Sequence, residues 1–486
     1  MVRGNAGSKV SARPKQVDVI LRPCPSMDQD PTSEGASRRA GAHLTRAHRY
    51  GGPVNEAATG QAATSRDRDA AMADSVSDSE MEKPGDDVAA PLALLEPRDG
   101  TPPPIDTPEG LAEVAERLSK GTGPVAVDAE RASGYRYGQR AYLVQLRRAG
   151  SGTALVDPLP FDDLGAIDAA IADTEWVLHA ASQDLPCLDE IGLRPRRLFD
   201  TELAGRLAGF ERVGLGAMVE RVLGYTLEKG HSAADWSTRP LPGAWLTHAA
   251  LDVELLVDLR DALAEELQNQ DKLAWAYEEF AALAASRPPA PRAEPWRRTS
   301  GIHRVRSARG LARVRALWQA RDELARRRDL APGRVLPDSA IVAAAQADPV
   351  DERALLALPV FSGRATRRLA STWLAALQRA RDVADTELPS TSSGGDGPPP
   401  AHRWADRDPA AAARLARGRQ EVMAIAAEHA LPTENLLAPD SVRRLAWSPP
   451  EPLDLDSVVA TLRSYGARPW QIGLTAAPLT EALSDA

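Results

Sequence analysis

Residues 125–130 read VAVDAE, and the alternation in these six positions decides how the chain is read. On a strand, Val125, Val127 and Ala129 point to one side and Asp128 and Glu130 to the other, because side chains alternate with period two. The first side suits a core. The second carries two carboxylates that repel each other unless a cation lies between them. Hard cations such as Mg²⁺ take oxygen ligands, typically one or two carboxylates together with substrate phosphate. Taken alone, the pair reads first as an acidic strand end entering a polar turn.

Outward from this strand the pattern keeps alternating. AYLVQLRR (141–148) and GTALVDP (152–158) read as two further strands. FDDLGAIDAAIAD (161–173) reads as a helix with Asp near its start, WVLHA (176–180) as a strand, SQDLPCLDEIG (182–192) as a helix and RRLFD (196–200) as a strand. Helices follow in TELAGRLAGF, GLGAMVERVLG and a long segment over 243–269. Three consecutive strands and then alternation predict a mixed sheet flanked by helices. Ser182 is the expected N-cap of its helix. Asp184 falls in the first turn, where a negative charge suits the helix dipole. His179 reads as a packed histidine at a strand end. WLTHAALDVELL (245–256) sets a harder problem, because His248 and Asp252 lie one helical turn apart on a face that continues as Leu255, Leu256 and Leu259. An unpaired buried charge is costly. The two residues either satisfy each other as an i, i+4 pair or face a partner that is not in the sequence.

The bulk properties narrow the class. A chain of 486 residues implies about three domains. Aromatics are only 5%, so alanine and leucine must do most of the packing, which favours helices. Two cysteines, Cys24 and Cys187, exclude a disulfide framework or a cysteine-based zinc site and fit a reducing compartment. No apolar run reaches the roughly 18–20 residues of a membrane span, and the N-terminus has no secretory apolar core. A cytoplasmic protein is expected. The net charge of −9 hides an asymmetry: residues 301–381 hold 16 Arg against 7 Asp and Glu, a net of +9. Such a segment suits contact with phosphates.

The chain divides by composition. Residues 1–97 lack periodicity and read as a disordered leader, with a natural start expected near Met72. Residues 98–285 carry the α/β pattern. A Pro-rich linker (286–295) leads to a helical segment (296–385), and a Gly/Ser/Pro linker (386–402) to a second one (403–486). The segments repeat each other weakly. In both, a helix ends in a short apolar-Pro loop and a second helix starts at Pro-Asp-Ser.

The order of the acids carries a resemblance. Asp128 and Glu130 on a strand, Asp184 after a strand ending in His179, and Asp252 on a long helix follow the order of the DEDD exonucleases. RRLFDTELAGRLAG, GLGAMVERVLG and HSAADWSTRPL resemble the intervening segments of the ribonuclease D family. LLALPVFSGRATRRLASTWLAAL is similar to that family's HRDC domain, and 403–486 to a degenerate second copy. The resemblance implies an RNase H-like mixed-sheet exonuclease domain followed by two all-α HRDC-like domains. It implies that Asp128, Glu130, Asp184 and Asp252 hold two divalent metal ions (Mg²⁺ or Mn²⁺). The implied activity is 3′→5′ exoribonuclease cleavage of single-stranded RNA 3′ ends, transfer-RNA precursors among them, releasing 5′-mononucleotides with no obligatory protein partner. One position departs from the family, since His248 stands where relatives carry the tyrosine that positions the attacking water. An imidazole can act as a base near neutral pH. Its shorter reach matters, because about 1 Å of misplacement can cost roughly 100-fold. Two rival readings are a catalytically weakened RNA-binding protein and a DNA exonuclease of the same superfamily. Tyr142, Gln145, Trp236 and Arg239 are the expected contacts to the terminal nucleotide, and the arginines of RVRSARGLARVR, ARRRDL and RATRR the expected contacts to RNA phosphates.

Overall fold

The VAVDAE strand is the centre of the sheet. In the computed structural model, which describes residues 90–484 apart from 228–229, 232, 288–291, 362 and 393–396, the strands are β1 (Leu92–Leu94), β2 (Pro104–Ile105), β3 (Thr122–Arg131), β4 (Ala141–Ala149), β5 (Gly152–Val156), β6 (Glu175–Leu178), β7 (Arg197–Asp200) and β8 (Tyr225–Leu227). Six of them form one sheet in the order β2-β5-β4-β3-β6-β7. β3 runs antiparallel to β4 and parallel to β6, so the sheet is mixed. Both faces of β3 are covered, which explains its near-continuous apolar run. Val125, Val127 and Ala129 enter the main core. Ala126, on the opposite face with Asp128 and Glu130, packs with Val253 and Leu256.

The expected leader (1–97) and its start at Met72 lie largely outside the described residues. Its last part does not fit the expectation. Leu92–Leu94 is a strand paired in parallel with Tyr225–Leu227, so the ordered fold begins before residue 98. The 161–173 helix is also shorter than expected, Gly165–Ala170. Asp163 accepts a hydrogen bond from Gly165 N at 2.8 Å and closes a turn where the helix was expected to begin. The 243–269 segment is two helices, Gly243–Glu254 and Leu256–Asn269, which meet at Leu255. The first lies over the carboxylate face of the sheet. The second sends Leu259, Leu263 and Leu267 into the main core.

The two helical segments are built alike. A long helix (Ala308–Arg328, Pro409–Glu428) is followed by one turn (Pro332–Val335, Thr433–Leu436) and a medium helix (Asp338–Ala347, Pro439–Trp447). Each long helix closes through a left-handed residue nearby, Asp329 or Ala430. The next leucine then donates back, Leu330 N to Ala325 O at 3.0 Å and Leu431 N to Ala426 O at 2.8 Å, as helix C-caps require. Their settings differ. The first segment has its own core around Trp296, Leu317, Phe361 and Trp373. The second shares the main core with the α/β domain: Trp470 stacks on Trp275 at 5.0 Å and donates Nε1 to Glu279 at 3.1 Å. Gly209 of the α/β domain, at φ +81°, approaches the second segment so closely that a Cβ would stand 2.8 Å from Ala430 O. Among the described residues no helix is long and apolar enough to cross a membrane.

The loop between β3 and β4 ties the first helical segment to the sheet. The Tyr137 hydroxyl donates to Asp322 at 3.1 Å. Arg334 donates Nε to Gly134 O at 2.6 Å and lies 4.0 Å over the Tyr135 ring.

Candidate active site

Each acid is held by a different local device. Asp128 and Glu130 follow from the pleat of β3, and their cross-strand partners are Gln145 and Leu143. Asp184 is not inside a first helical turn. Residues Ala181–Gln183 form a 3₁₀ turn and the α-helix starts at Leu185, because Pro186 suits only a helix start. Asp184 thus sits at the N-cap position, yet its side chain caps nothing and lines a cavity. Ser182 lies within the 3₁₀ turn instead of capping the helix. Asp252 comes from the helix Gly243–Glu254. All four acids line the same cavity of about 330 Å³, with His179, Gln183, Arg131, Leu215 and Leu256 around them.

His248 joins them. Its Nε2 lies 3.6 Å from Asp252 Oδ2, and ligand-capable atoms of Glu130, His248 and Asp252 all lie within 4.8 Å of one another. The polar pair on the apolar face of WLTHAALDVELL is accounted for by this convergence. The pair faces two strand carboxylates.

Crowding shapes the electrostatics. Burial, reinforced by Asp128, Asp252 and Asp184, pushes the Glu130 carboxyl up to about 10. Burial and Asp128 push Asp184 to about 8, against the pull of Arg131. Asp128 is raised by burial, and Asp252 is raised well above the usual range by burial and then by Asp128. Carboxylates arranged so that they resist ionisation side by side fit a site for hard cations, which offset both burial and mutual repulsion.

Asp200 is a part of this site that its sequence context does not signal. It is 2% exposed. One carboxylate oxygen accepts from Glu202 N and Leu203 N, capping the next helix, and from Ala180 N; the other accepts from Ala181 N at 2.9 Å. Ala180 is left-handed at φ 57°, a conformation that costs a non-glycine residue roughly 1–2 kcal/mol. The Asp200 clamp stabilises the turn that delivers Asp184. A similar brace holds the other side of the site. Glu254, buried on the Asp252 helix, pairs with Arg147 of β4 at 3.1 Å.

Three of the four expected nucleotide contacts have other work, and the fourth, Gln145, is buried. Trp236 and Gln145 are wholly buried and Tyr142 is 5% exposed. Tyr142 and Trp236 pack in a core with Leu155, Leu246 and Ala249. Arg239 donates to both carboxylate oxygens of Asp157 and to the carbonyls of Trp236, Thr238 and Tyr142. These contacts occupy all five donors of its guanidinium. Tyr142, Trp236 and Arg239 therefore support the helix above the site and do not face a ligand, whereas Gln145 is buried on β4 opposite Asp128 with no hydrogen-bond partner for its amide among the described residues. The arginine-rich segment divides in the same way. Arg313, Arg321 and Arg381 pair with Asp348 or Asp338, whereas Arg364, Arg367 and Arg368 are exposed.

His179 is indeed a packed histidine. Its Nδ1 lies 2.9 Å from Thr201 Oγ1, and burial lowers its pKa to about 4. A depressed histidine favours the fold above its unfolded value of about 6.5 and loses that contribution as pH falls towards 4. Stability measured by urea unfolding should drop between pH 6.5 and 4 by roughly 2–3 kcal/mol more in the wild type than in His179→Asn. Parallel pH curves for the two proteins would exclude this role.

A mixed sheet with four converging acids, followed by helical modules, defines a class, and the comparisons specify it. Residues 102–268 match the model of a 3′–5′ exonuclease, residues 310–377 that of the HRDC domain, and residues 397–483 that of a 3′ to 5′ exonuclease C-terminal domain. The chain is an exonuclease of this type. A ribonuclease D of Gluconacetobacter diazotrophicus is 33% identical over 73% of this chain and 89% of its own length. A crystal structure of a protein from Bifidobacterium adolescentis matches 81% of this chain and all of that one, at 38% identity and TM-score 0.74. That of Escherichia coli RNase D, described as an exoribonuclease involved in structured RNA processing, covers 79% of this chain and 98% of that one, at 25% identity and TM-score 0.59. The chain belongs to the ribonuclease D family and is a 3′–5′ exoribonuclease.

Proposed function

We propose that Asp128, Glu130, Asp184 and Asp252 hold two divalent cations, Mg²⁺ or Mn²⁺, and that the enzyme removes 5′-mononucleotides one at a time from single-stranded RNA 3′ ends. The observation that carries this reading is the convergence of all four carboxylates on one cavity. When bound, the cations supply positive charge at the attacking and departing oxygens of the phosphodiester. The chain's residues do the rest. Asp128 and Glu130 are fixed by the pleat, Asp184 by the Asp200 clamp and Asp252 by the Glu254–Arg147 brace. Each carboxylate is thereby positioned before substrate arrives, which lowers the cost of reaching a reactive geometry. His248, beside Asp252, orients the attacking water and accepts its proton. The exposed arginines of 364–368 contact phosphates, which positions RNA without reading its sequence. Precursors of transfer RNA are the expected substrate class, and such a substrate is consistent with a cytoplasmic enzyme.

The test uses the full chain, 5′-labelled single-stranded RNA and the matching DNA, with Mg²⁺ or Mn²⁺ and with chelator. A ladder shortening by one nucleotide on RNA, lost in chelator, is the expected result. Equal degradation of DNA would overturn the RNA assignment. His248→Ala should lower the rate roughly 10²-fold, in line with removal of a general base. Equal rates for wild type, His248→Ala and His248→Tyr would make the residue a bystander.

A further inference from the structure

Arg131 is the last residue of β3 and the neighbour of Glu130. Its guanidinium reaches into the acid cluster, with NH2 3.3 Å from Asp184 Oδ1. Among the described residues Asp184 is its ion-pair partner. The side chain is 26% exposed, so its end retains freedom to turn. It also borders two cavities. One is the cavity of the four acids. The other, of about 410 Å³, adjoins it and is lined by Glu130, Ser133, Tyr135, Gln139 and Ala234. The wall bearing Tyr135 is held from behind by Arg334.

Two facts of charge bear on this position. A guanidinium on Asp184 offsets part of the cluster's repulsion, which is why it opposes the upward shift of that carboxyl. It also competes with any cation that would use the same oxygen, and like charges at that range repel strongly in a site shielded from water. Once released from Asp184, its planar fork matches a phosphate better than any other side chain does.

We propose that Arg131 is a built-in counter-ion of the acid cluster, and that when divalent cations engage Asp184 its guanidinium turns into the adjoining cavity and clamps a backbone phosphate of the RNA. This rests on the reading of the cluster as a cation site. The exchange links loading of the site to capture of the strand. Without cations Arg131 is held on Asp184; with them it faces the cavity beside the reacting end.

The two halves of the exchange move in opposite directions when Arg131 is changed. Arg131→Gln should bind Mn²⁺ about 10-fold more tightly in calorimetry on the metal-free full chain, because a competitor for a charged oxygen is gone. The same variant should raise KM for single-stranded RNA roughly 10-fold at saturating Mn²⁺, with kcat changed less, because a phosphate contact is gone. Arg131→Lys keeps the charge and loses the fork, so it should retain wild-type Mn²⁺ affinity while sharing the raised KM. Weaker or unchanged Mn²⁺ binding in Arg131→Gln would overturn the exchange, as would an unchanged KM in both variants. Wild-type protein that binds no Mn²⁺ would overturn the cation-site reading itself, an outcome distinct from either.

Discussion

Asp252→Asn should reduce 3′-end hydrolysis about 10³-fold or more, the size expected when several kcal/mol of charge stabilisation is lost from the transition state. The substitution keeps the shape of the side chain and its place on the helix Gly243–Glu254. It removes one of four carboxylates that burial and mutual repulsion hold away from their charged forms. The variant should therefore be at least as stable as the wild type in the absence of divalent ions, since a repulsive contact has been relieved. Single-turnover release of nucleotides and a melting curve in chelator measure the two quantities on one preparation. An inactive variant that also melts early would point to a structural Asp252. An active one would end the case for this cavity as the reaction centre.

The second large effect lies away from the chemistry. Arg239→Met should cost about 3 kcal/mol in urea unfolding, towards the lower end for a broken ion pair because the arginine is partly exposed. Asp157 is 7% exposed and would lose both of its donated bonds from Arg239. Three carbonyls would lose their donor as well. Arg239→Lys should recover little, because an ammonium cannot reproduce the fork. Stability unchanged with KM raised would restore Arg239 as a contact to the nucleotide.

Particular residues explain what could be read from the chain and what could not. Asp128 and Glu130 were legible because period-two alternation fixes a side chain's face without tertiary information. Asp184 and Asp252 became legible only through their order along the chain, since each taken singly has an ordinary local reason to exist. Asp200 was hidden because its work is long-range: it looks like one more helix cap until the backbone of Ala180 and Ala181 folds onto it. Trp236, Gln145 and Arg239 misled for the opposite reason. They are residue types that often bind nucleotides, and only the structure reveals that Trp236 and Gln145 are buried and that the donors of Arg239 are already engaged. The break at Leu255 carries no Gly or Pro to announce it, so a continuous apolar period read as one helix. Leu92–Leu94 is too short to rise above its surroundings and exists because Tyr225–Leu227 supplies its bonds.

The stacked indoles of Trp275 and Trp470 have a practical corollary for anyone handling this enzyme. A protease nick anywhere between residues 388 and 400 would sever the polypeptide without separating the pieces, since the last helices are part of the same interior as the sheet. On a native gel or a sizing column the cut sample should run as one particle, and only denaturant would reveal two bands.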